Sequence, residues 1–495
     1  MSPSDLIGFL SRREFLAFLP PLSSGVGRTR AMLCATNTTS GTWGGGDEGH
    51  TKERTHGRED TMTATRPTAA HLSAADSDPV KMGWMVGFPP PPDKRIRWAD
   101  GSHFNPPSNR WGLSHFHQFL PHVSIRRGDG PVSELPRAER KDIDAVTFKI
   151  ASPVDLSEAA KEAIALFGTT ISWAQSLDAN YTDSIVVLHR GRIVYERYRG
   201  VTRPETQHFL MSVTKSLPGL LAEILIDEGS MDEKAAVSRY LPELKNSGFG
   251  DATVRQVLDH VTGVKYSDAF DDPNADIWHY AQVIGVLPRQ PGFAGPDNLY
   301  DYLASLKKEG EHGKAFGYKD VNTDVVGWLL KRITGQTCAE LASERLWSKL
   351  GAERDAYWVV DSAGFEICGA GIGTTVRDLA RWGETMRLGG RFNGQQIVSK
   401  AVVEKIFAGG DPDIFAKGHY GPGLPGWSYR SYFWVHPAEG VIMWKGLFGQ
   451  GMYVNPRAEV VIARNCSHWN PSNSALDATS LPAYAAVVDH LTKAK

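Results

Sequence analysis

An α+β fold is what the sequence predicts: one antiparallel sheet flanked by helices, with a mostly helical lobe inserted at about residues 232–370. Two observations carry that expectation. Runs of β-branched and aromatic residues lie near residue 185 and again beyond residue 430, so one sheet draws on segments far apart in the chain. Between them, apolar residues recur mainly three and four apart, the spacing of one helix face.

Taken in order, residues 36–78 are rich in Thr, Gly, Ser, Asp and His and lack hydrophobic period. They read as disordered, and residues 1–80 as an extension ahead of a domain at 81–495. Order is expected from Met82, where Trp84 and Phe88 suggest an aromatic clasp and Pro89-Pro90-Pro91-Pro92 a stiff turn. Asn109-Arg110-Trp111 leads into a short helical segment that ends at Pro121. Residues 154–177 carry helical spacing through Leu156, Ala159, Ala163, Ile164, Phe167 and Ile171. Ile185 to Leu188 and Ile193 to Tyr195, around Arg190-Gly191, form the clearest hairpin signal. A helix over 213–227 stops at Gly229, and further helices are expected at 253–260, 324–334, 338–349 and 377–388, the last ended by Gly389-Gly390. Strands return at 432–435, 441–444, 452–454 and 460–463, and a helix over 481–493 closes the chain. No internal repeat is visible.

The bulk properties exclude several classes. The 495 residues are 22% charged and 41% hydrophobic with a formal net charge of -2, so no large basic surface for nucleic acid is implied. Cys34, Cys338, Cys368 and Cys466 lack the short spacing of a zinc site or a redox pair. There is no G-x-S-x-G, H-E-x-x-H, Walker or dinucleotide glycine loop, and neither metal nor cofactor is expected. His189, His260 and His279 have ordinary structural explanations and receive no role. The longest apolar run, 217–226, is broken by Pro218 and Glu223 and is short of the roughly 20 residues a bilayer needs. A soluble protein with no membrane partner follows. Ser11-Arg12-Arg13-Glu14-Phe15-Leu16 resembles a twin-arginine export signal, but Pro20 and Pro21 interrupt the apolar run behind it, and Met62 is an alternative start. The cytoplasm is the reading adopted, with export the alternative; the oligomeric state is open.

Ser212-Val213-Thr214-Lys215 fits S-x-x-K, which places a hydroxyl and an amine on one helix face. A serine hydroxyl needs a base beside it, and a lysine serves if burial lowers its pKa. The first helical turn also offers free backbone N–H groups for an oxyanion. The motif arises by chance about once or twice in a chain this long. Ser305-Leu306-Lys307-Lys308 is such a second copy. Context separates them. Leu217, Leu220, Leu221, Ile224 and Leu225 follow the first copy, whereas Glu309-Gly310-Glu311-His312 follows the second. The first lysine is therefore the buried one.

From His208 to Leu217 the sequence resembles the nucleophile segment of serine β-lactamase-related hydrolases, above all the 6-aminohexanoate-dimer (nylon-oligomer) hydrolases and their carboxylesterase relatives. Further similar stretches follow in order: Tyr240-Leu241-Pro242-Glu243-Leu244, Val257-Leu258-Asp259-His260-Val261-Thr262-Gly263, Phe316 to Asp324, Gly373 to Arg381, and Gly446-Leu447-Phe448-Gly449-Gln450-Gly451. Gly327 falls where the family's helix glycine lies. The resemblance implies a β-lactamase/transpeptidase-like fold and a third catalytic group at Tyr318, whose phenolate beside Lys215 takes the proton of Ser212 and returns it to the leaving group. It further implies an oxyanion hole from the backbone N–H of Ser212 and Gln450, and a substrate pocket involving Tyr266, Phe270, Asp320 and Phe448. Trp278 is weighed as a further lining residue.

Three departures shape the expected function. Asp320 stands where the family pattern Y-x-N has Asn. Leu447-Phe448-Gly449 stands where β-lactamases carry K-T-G or H-x-G, and strand alternation does not assure that Lys445 faces the pocket. Without that cation an uncharged acyl group is the better substrate. Phe270 occupies the position of a tyrosine that contacts the amide in the nylon-oligomer enzymes, and a phenyl ring cannot donate to a leaving nitrogen. Small carboxylic esters are thus expected ahead of linear amides. The alternative is a catalytically silent ligand-binding relative, disfavoured because Ser212, Lys215 and Tyr318 are all kept.

Overall fold

Arg190 and Gly191 adopt φ of 52° and 73°, the two-residue turn whose twist matches a hairpin, and the strands around it pair as the alternation predicts. The computed structural model describes residues 71–151, 156–270 and 272–493. The twin-arginine-like motif, Met62 and residues 36–70 lie outside the described residues. In chain order the sheet strands are β1 (His122–Ile125), β2 (Thr182–His189), β3 (Arg192–Tyr198), β4 (His208–Phe209), β5 (Ala356–Val359), β6 (Ile372–Thr374), β7 (Ser428–Arg430), β8 (Phe433–His436), β9 (Val441–Gly446), β10 (Gln450–Asn455) and β11 (Val460–Cys466). The seven-stranded sheet runs β7-β8-β9-β10-β11-β2-β3, antiparallel throughout, so the early hairpin adds to a C-terminal meander through β11 and β2. A four-stranded sheet, β1-β5-β6-β4, leads into the nucleophile segment.

The helices that frame these sheets are α1 (Glu158–Phe167), α2 (Trp173–Ala179), α3 (Ser216–Asp227), α4 (Asp276–Val283), α5 (Asp320–Thr334), α6 (Val376–Arg387) and α7 (Asp477–Lys493). Both faces of the large sheet are covered, and β2, β10 and β11 are buried along almost their whole length. Alternation assigns the faces. Trp444 of β9 meets Trp382 of α6 with ring centroids 5.5 Å apart, while Tyr453 on β10 meets Tyr484 of α7 at 5.6 Å. Trp444 pairs with Met452, so Lys445 and Tyr453 belong to the face opposite Trp444.

Several expectations need correction. The single helix over 154–177 is two, α1 and α2. Gly168 at φ 85° ends the first, Thr170–Ser172 forms a short strand, and Ser172 starts the second with a capping box to Gln175. Apolar spacing ran through the break because Ile171 is buried from the strand. Residues 71–81, ahead of the expected start at Met82, are part of the fold: Arg110 donates to the Ala74 carbonyl and, at 3.1 Å, to Ser77 Oγ, polar ties that leave no hydrophobic period. The Phe88 ring is fully exposed and clasps nothing. Helices α5 and α7 begin at Asp320 and Asp477, four residues before the expected starts, the latter accommodating Pro482 in its second turn.

Candidate active site

Strand β4 delivers the chain to Met211, held at φ 51°, and a 3-10 turn over Met211–Lys215 feeds α3. Side chains three apart eclipse one another in such a turn. Lys215 Nζ accordingly donates to Ser212 Oγ at 2.9 Å. The ammonium is fully buried, and its other two N–H bonds go to Asp320 Oδ1 at 2.5 Å and the Gly369 carbonyl at 2.7 Å. Asp324 holds the segment that carries this carbonyl, accepting from the N–H groups of Cys368 (2.9 Å) and Gly369 (3.1 Å). The Tyr318 ring lies 4.8 Å from Lys215 Nζ, and its hydroxyl interacts with both Ser212 and Lys215. His260, 4.9 Å away, and Trp434, 6.0 Å away, pack against that ring. Structure thus brings Ser212, Lys215, Tyr318 and Asp320 together. The surface S-x-x-K copy is apart: Ser305 is exposed and bonds Tyr302, and Lys308 pairs with Asp251.

Electrostatics reverses one expectation. Burial does oppose charge on Lys215, but the Asp320 carboxylate and Tyr318 outweigh it and hold the lysine above its ordinary range. Lys215 is an ammonium, not a neutral amine. Tyr318 is pushed above its usual value by burial, pulled down by Lys215 and pushed up by Asp320. Asp320, placed by sequence in the substrate pocket, is both a lining residue and the counter-ion of Lys215.

A cavity of about 930 Å³, including its open mouth, lies over Ser212, Tyr318 and Asp320. Phe270 and Trp278 line it as expected. Tyr266 and Phe448 do not. Tyr266 sits behind the wall and donates to Asp320 Oδ2 at 3.2 Å, while Phe448 packs edge-on against Phe104 at 5.1 Å. It is Phe104 that reaches the cavity, with Tyr420, Trp434 and Phe209, of which only Phe209 lies in a motif segment. Asp268 also faces it, and burial followed by the Asp320 charge raises its carboxyl to about 7. Its place in the Tyr266-Ser267-Asp268 loop was the one available signal.

Gln450, expected to lend its backbone N–H to the oxyanion, is not among the residues that line the cavity. Gln450 pairs with Gly446 across the β9–β10 ladder, and its side chain is spent on the backbone of Cys466. The cavity beside Ser212 is lined instead by Gly446 and Leu447. Gly446 runs so close that a Cβ there would stand 2.5 Å from the Leu210 carbonyl oxygen and 3.1 Å from Ser212 N. Lys445 reaches the cavity wall but is neutralised by Asp477 through bonds of 2.7 and 2.8 Å. Among the described residues no group of three or more His, Cys, Asp or Glu is placed to hold a metal ion, and no helix is long and apolar enough to cross a membrane.

Comparison with known proteins identifies the family. The β-lactamase family model matches residues 174–486. The chain belongs to the β-lactamase family. It is 32% identical over 378 residues to the 6-aminohexanoate-dimer hydrolase of Paenarthrobacter ureafaciens, covering 75% of this chain and 90% of that one. A solved Bacillus anthracis structure described as a candidate 6-aminohexanoate-dimer hydrolase superposes with TM-score 0.70 at 28% identity, over 80% of this chain and 97% of its own. EstCE1, described as a hydrolase with promiscuous acyltransferase activity, shares the fold at TM-score 0.50 and 17% identity, over 68% and 98% of the two chains. This β-lactamase-family protein is a hydrolase of the serine superfamily with the β-lactamase/transpeptidase-like fold, and the serine acyl-enzyme route is general to that family.

Proposed function

We propose that this β-lactamase-family hydrolase cleaves small carboxylic esters through an acyl-enzyme on Ser212, with linear amides as poorer substrates. One observation carries the reading: a buried Lys215 ammonium bonds Ser212 Oγ and Asp320 beside Tyr318, under an apolar cavity. In the competent form Tyr318 is a phenolate, favoured by Lys215. Ser212 Oγ attacks the ester carbonyl and its proton passes to the Tyr318 oxygen. The oxyanion is held by the N–H of Ser212 and, in place of Gln450, that of Leu447. As the tetrahedral adduct collapses, Tyr318 returns the proton to the departing alkoxide. Water then repeats the sequence in reverse and frees the acid, restoring Ser212.

Two features support an uncharged acyl group and an ester bond. Lys445 is occupied by Asp477, so among the described residues the wall offers no free cation for a substrate carboxylate. Phe270 lines the cavity without a hydroxyl to donate to a leaving nitrogen, a loss that matters less for an alkoxide. The test is hydrolysis of short-chain p-nitrophenyl esters by wild type and Ser212→Ala, with fluorophosphonate labelling mapped by mass. Labelling at Ser212 and loss of turnover in the variant are expected. Equal rates in both proteins would end the reading.

A further inference from the structure

We propose that Asn473 is a positioning residue that aims the Leu447 N–H into the oxyanion site; this rests on the acyl-transfer reading of Ser212. Asn473 lies in the loop that leads from β11 to α7, remote in sequence from β9. Its Nδ2 donates to the Gly446 carbonyl, while its side chain lines the cavity with Gly446 and Leu447. In a planar trans peptide the carbonyl and the following N–H point in opposite directions. A donor that fixes the Gly446 oxygen therefore fixes the line along which Leu447 N–H points.

Neighbouring bonds hold the rest of the turn, most of them from residues 464–473. Phe448 N donates to Pro471 O at 2.9 Å, and His468 N donates to Phe448 O at 3.1 Å. Arg464 Nε reaches the Gly449 carbonyl at 3.2 Å, and Gln450 Nε2 the Leu447 carbonyl at 3.3 Å. Phe448 sits at φ 64°, a left-handed conformation that a bulky residue keeps only when its surroundings impose it. Residues 464–473 thus act as a clamp on 446–449, and Asn473 is the member that grips the peptide nearest Ser212. Preorganised N–H dipoles stabilise a developing oxyanion because nothing must reorient during reaction. Releasing Gly446 O lets this peptide rotate and blunts that effect.

The experiment compares wild type, Asn473→Ala and Asn473→Asp on a p-nitrophenyl ester, together with inhibition by an alkyl boronic acid, whose tetrahedral anion uses the same N–H pair. Asp keeps the shape but, ionised, has no N–H to donate. Both variants are expected to lose about 10- to 100-fold in kcat with KM within about threefold, a fraction of the cost of deleting an oxyanion donor. Boronate affinity should fall in parallel, while binding of the carboxylic acid product stays unchanged. If Ala disturbs folding, the near-isosteric Asp variant decides. Unchanged kcat and boronate affinity in folded Asn473→Asp would overturn the proposal, as would a rise in KM alone, which marks a substrate contact. An inactive Ser212→Ala with unaffected Asn473 variants removes only this inference; an active Ser212→Ala removes the parent reading.

Discussion

Replacing Asp320 by Asn tests the electrostatic core of the site. The substitution keeps the shape and removes the negative charge 2.5 Å from a fully buried ammonium. Two routes bound the cost. If Lys215 stays charged, an uncompensated buried ion costs about 3–5 kcal/mol. If it instead gives up its proton at pH 7, the cost is at most the gap from 10.5 to 7, about 5 kcal/mol at about 1.4 kcal/mol per pH unit. Both give a loss of about 3–5 kcal/mol at neutral pH. The pH dependence supplies the signature. In the wild type Lys215 lies above its unfolded value, so its stabilisation is present below 10.5 and lost as pH rises beyond. In the variant the Asp320 contribution is gone and the folded value falls, so the cost is relieved as pH rises toward 10.5. Urea unfolding at pH 6, 7, 8 and 9 should show a gap between the two proteins that narrows with pH. A gap below about 1 kcal/mol at pH 7, or one constant across the series, would refute the ion-pair argument.

Other consequences are open to measurement. Because Tyr318 is held above its ordinary value, the phenolate fraction is small at neutral pH, and kcat should climb toward alkaline pH; Tyr318→Phe should lose about 10²–10⁴-fold and abolish that slope in a pH–rate profile. Phe270→Tyr restores a hydroxyl to the cavity wall and should raise the turnover of linear amides such as 6-aminohexanoate dimer relative to p-nitrophenyl esters, read as a ratio of kcat/KM; an unchanged ratio sinks the leaving-group argument. Asp268 keeps its proton in the folded state up to about 7 while the unfolded chain loses it near 3.8, so wild-type stability falls as pH rises through that window. Asp268→Asn should remove the slope and gain up to about 4 kcal/mol at pH 8 in thermal or urea unfolding.

What the sequence made legible follows from where a periodic signal exists. The β2–β3 hairpin was plain because its side chains alternate and its turn needs the left-handed conformation that Gly191 accepts. The α1–α2 break was not, since a three-residue strand adds buried Ile171 in phase with the helix before it. Within the site, Ser212, Lys215, Tyr318 and Phe270 fell on recognisable motifs. Phe104, Tyr420 and Trp434 did not, because a cavity wall is assembled by tertiary packing and needs no shared spacing. Tyr266 and Phe448 lie in the right loops but point behind the wall, because knowing a loop's segment does not fix which way each side chain turns.

The charge on Lys215 is the deeper case. An apolar helix behind an S-x-x-K motif says that the lysine is buried, and burial alone argues for a neutral amine. The deciding group lies 105 residues away at the first position of α5, where the residues alone showed an Asp in place of the family's Asn and nothing that tied it to Lys215. Asp320 is half of an ion pair only because α5 points its first turn at α3. With the carboxylate in place Lys215 cannot be the base that accepts the Ser212 proton. That duty falls to Tyr318, and Lys215 becomes the fixed positive charge that makes a buried phenolate attainable. The acid limb of activity then belongs to the tyrosine, and it is the tyrosine's titration, not the lysine's, that a pH–rate profile of the wild type should report.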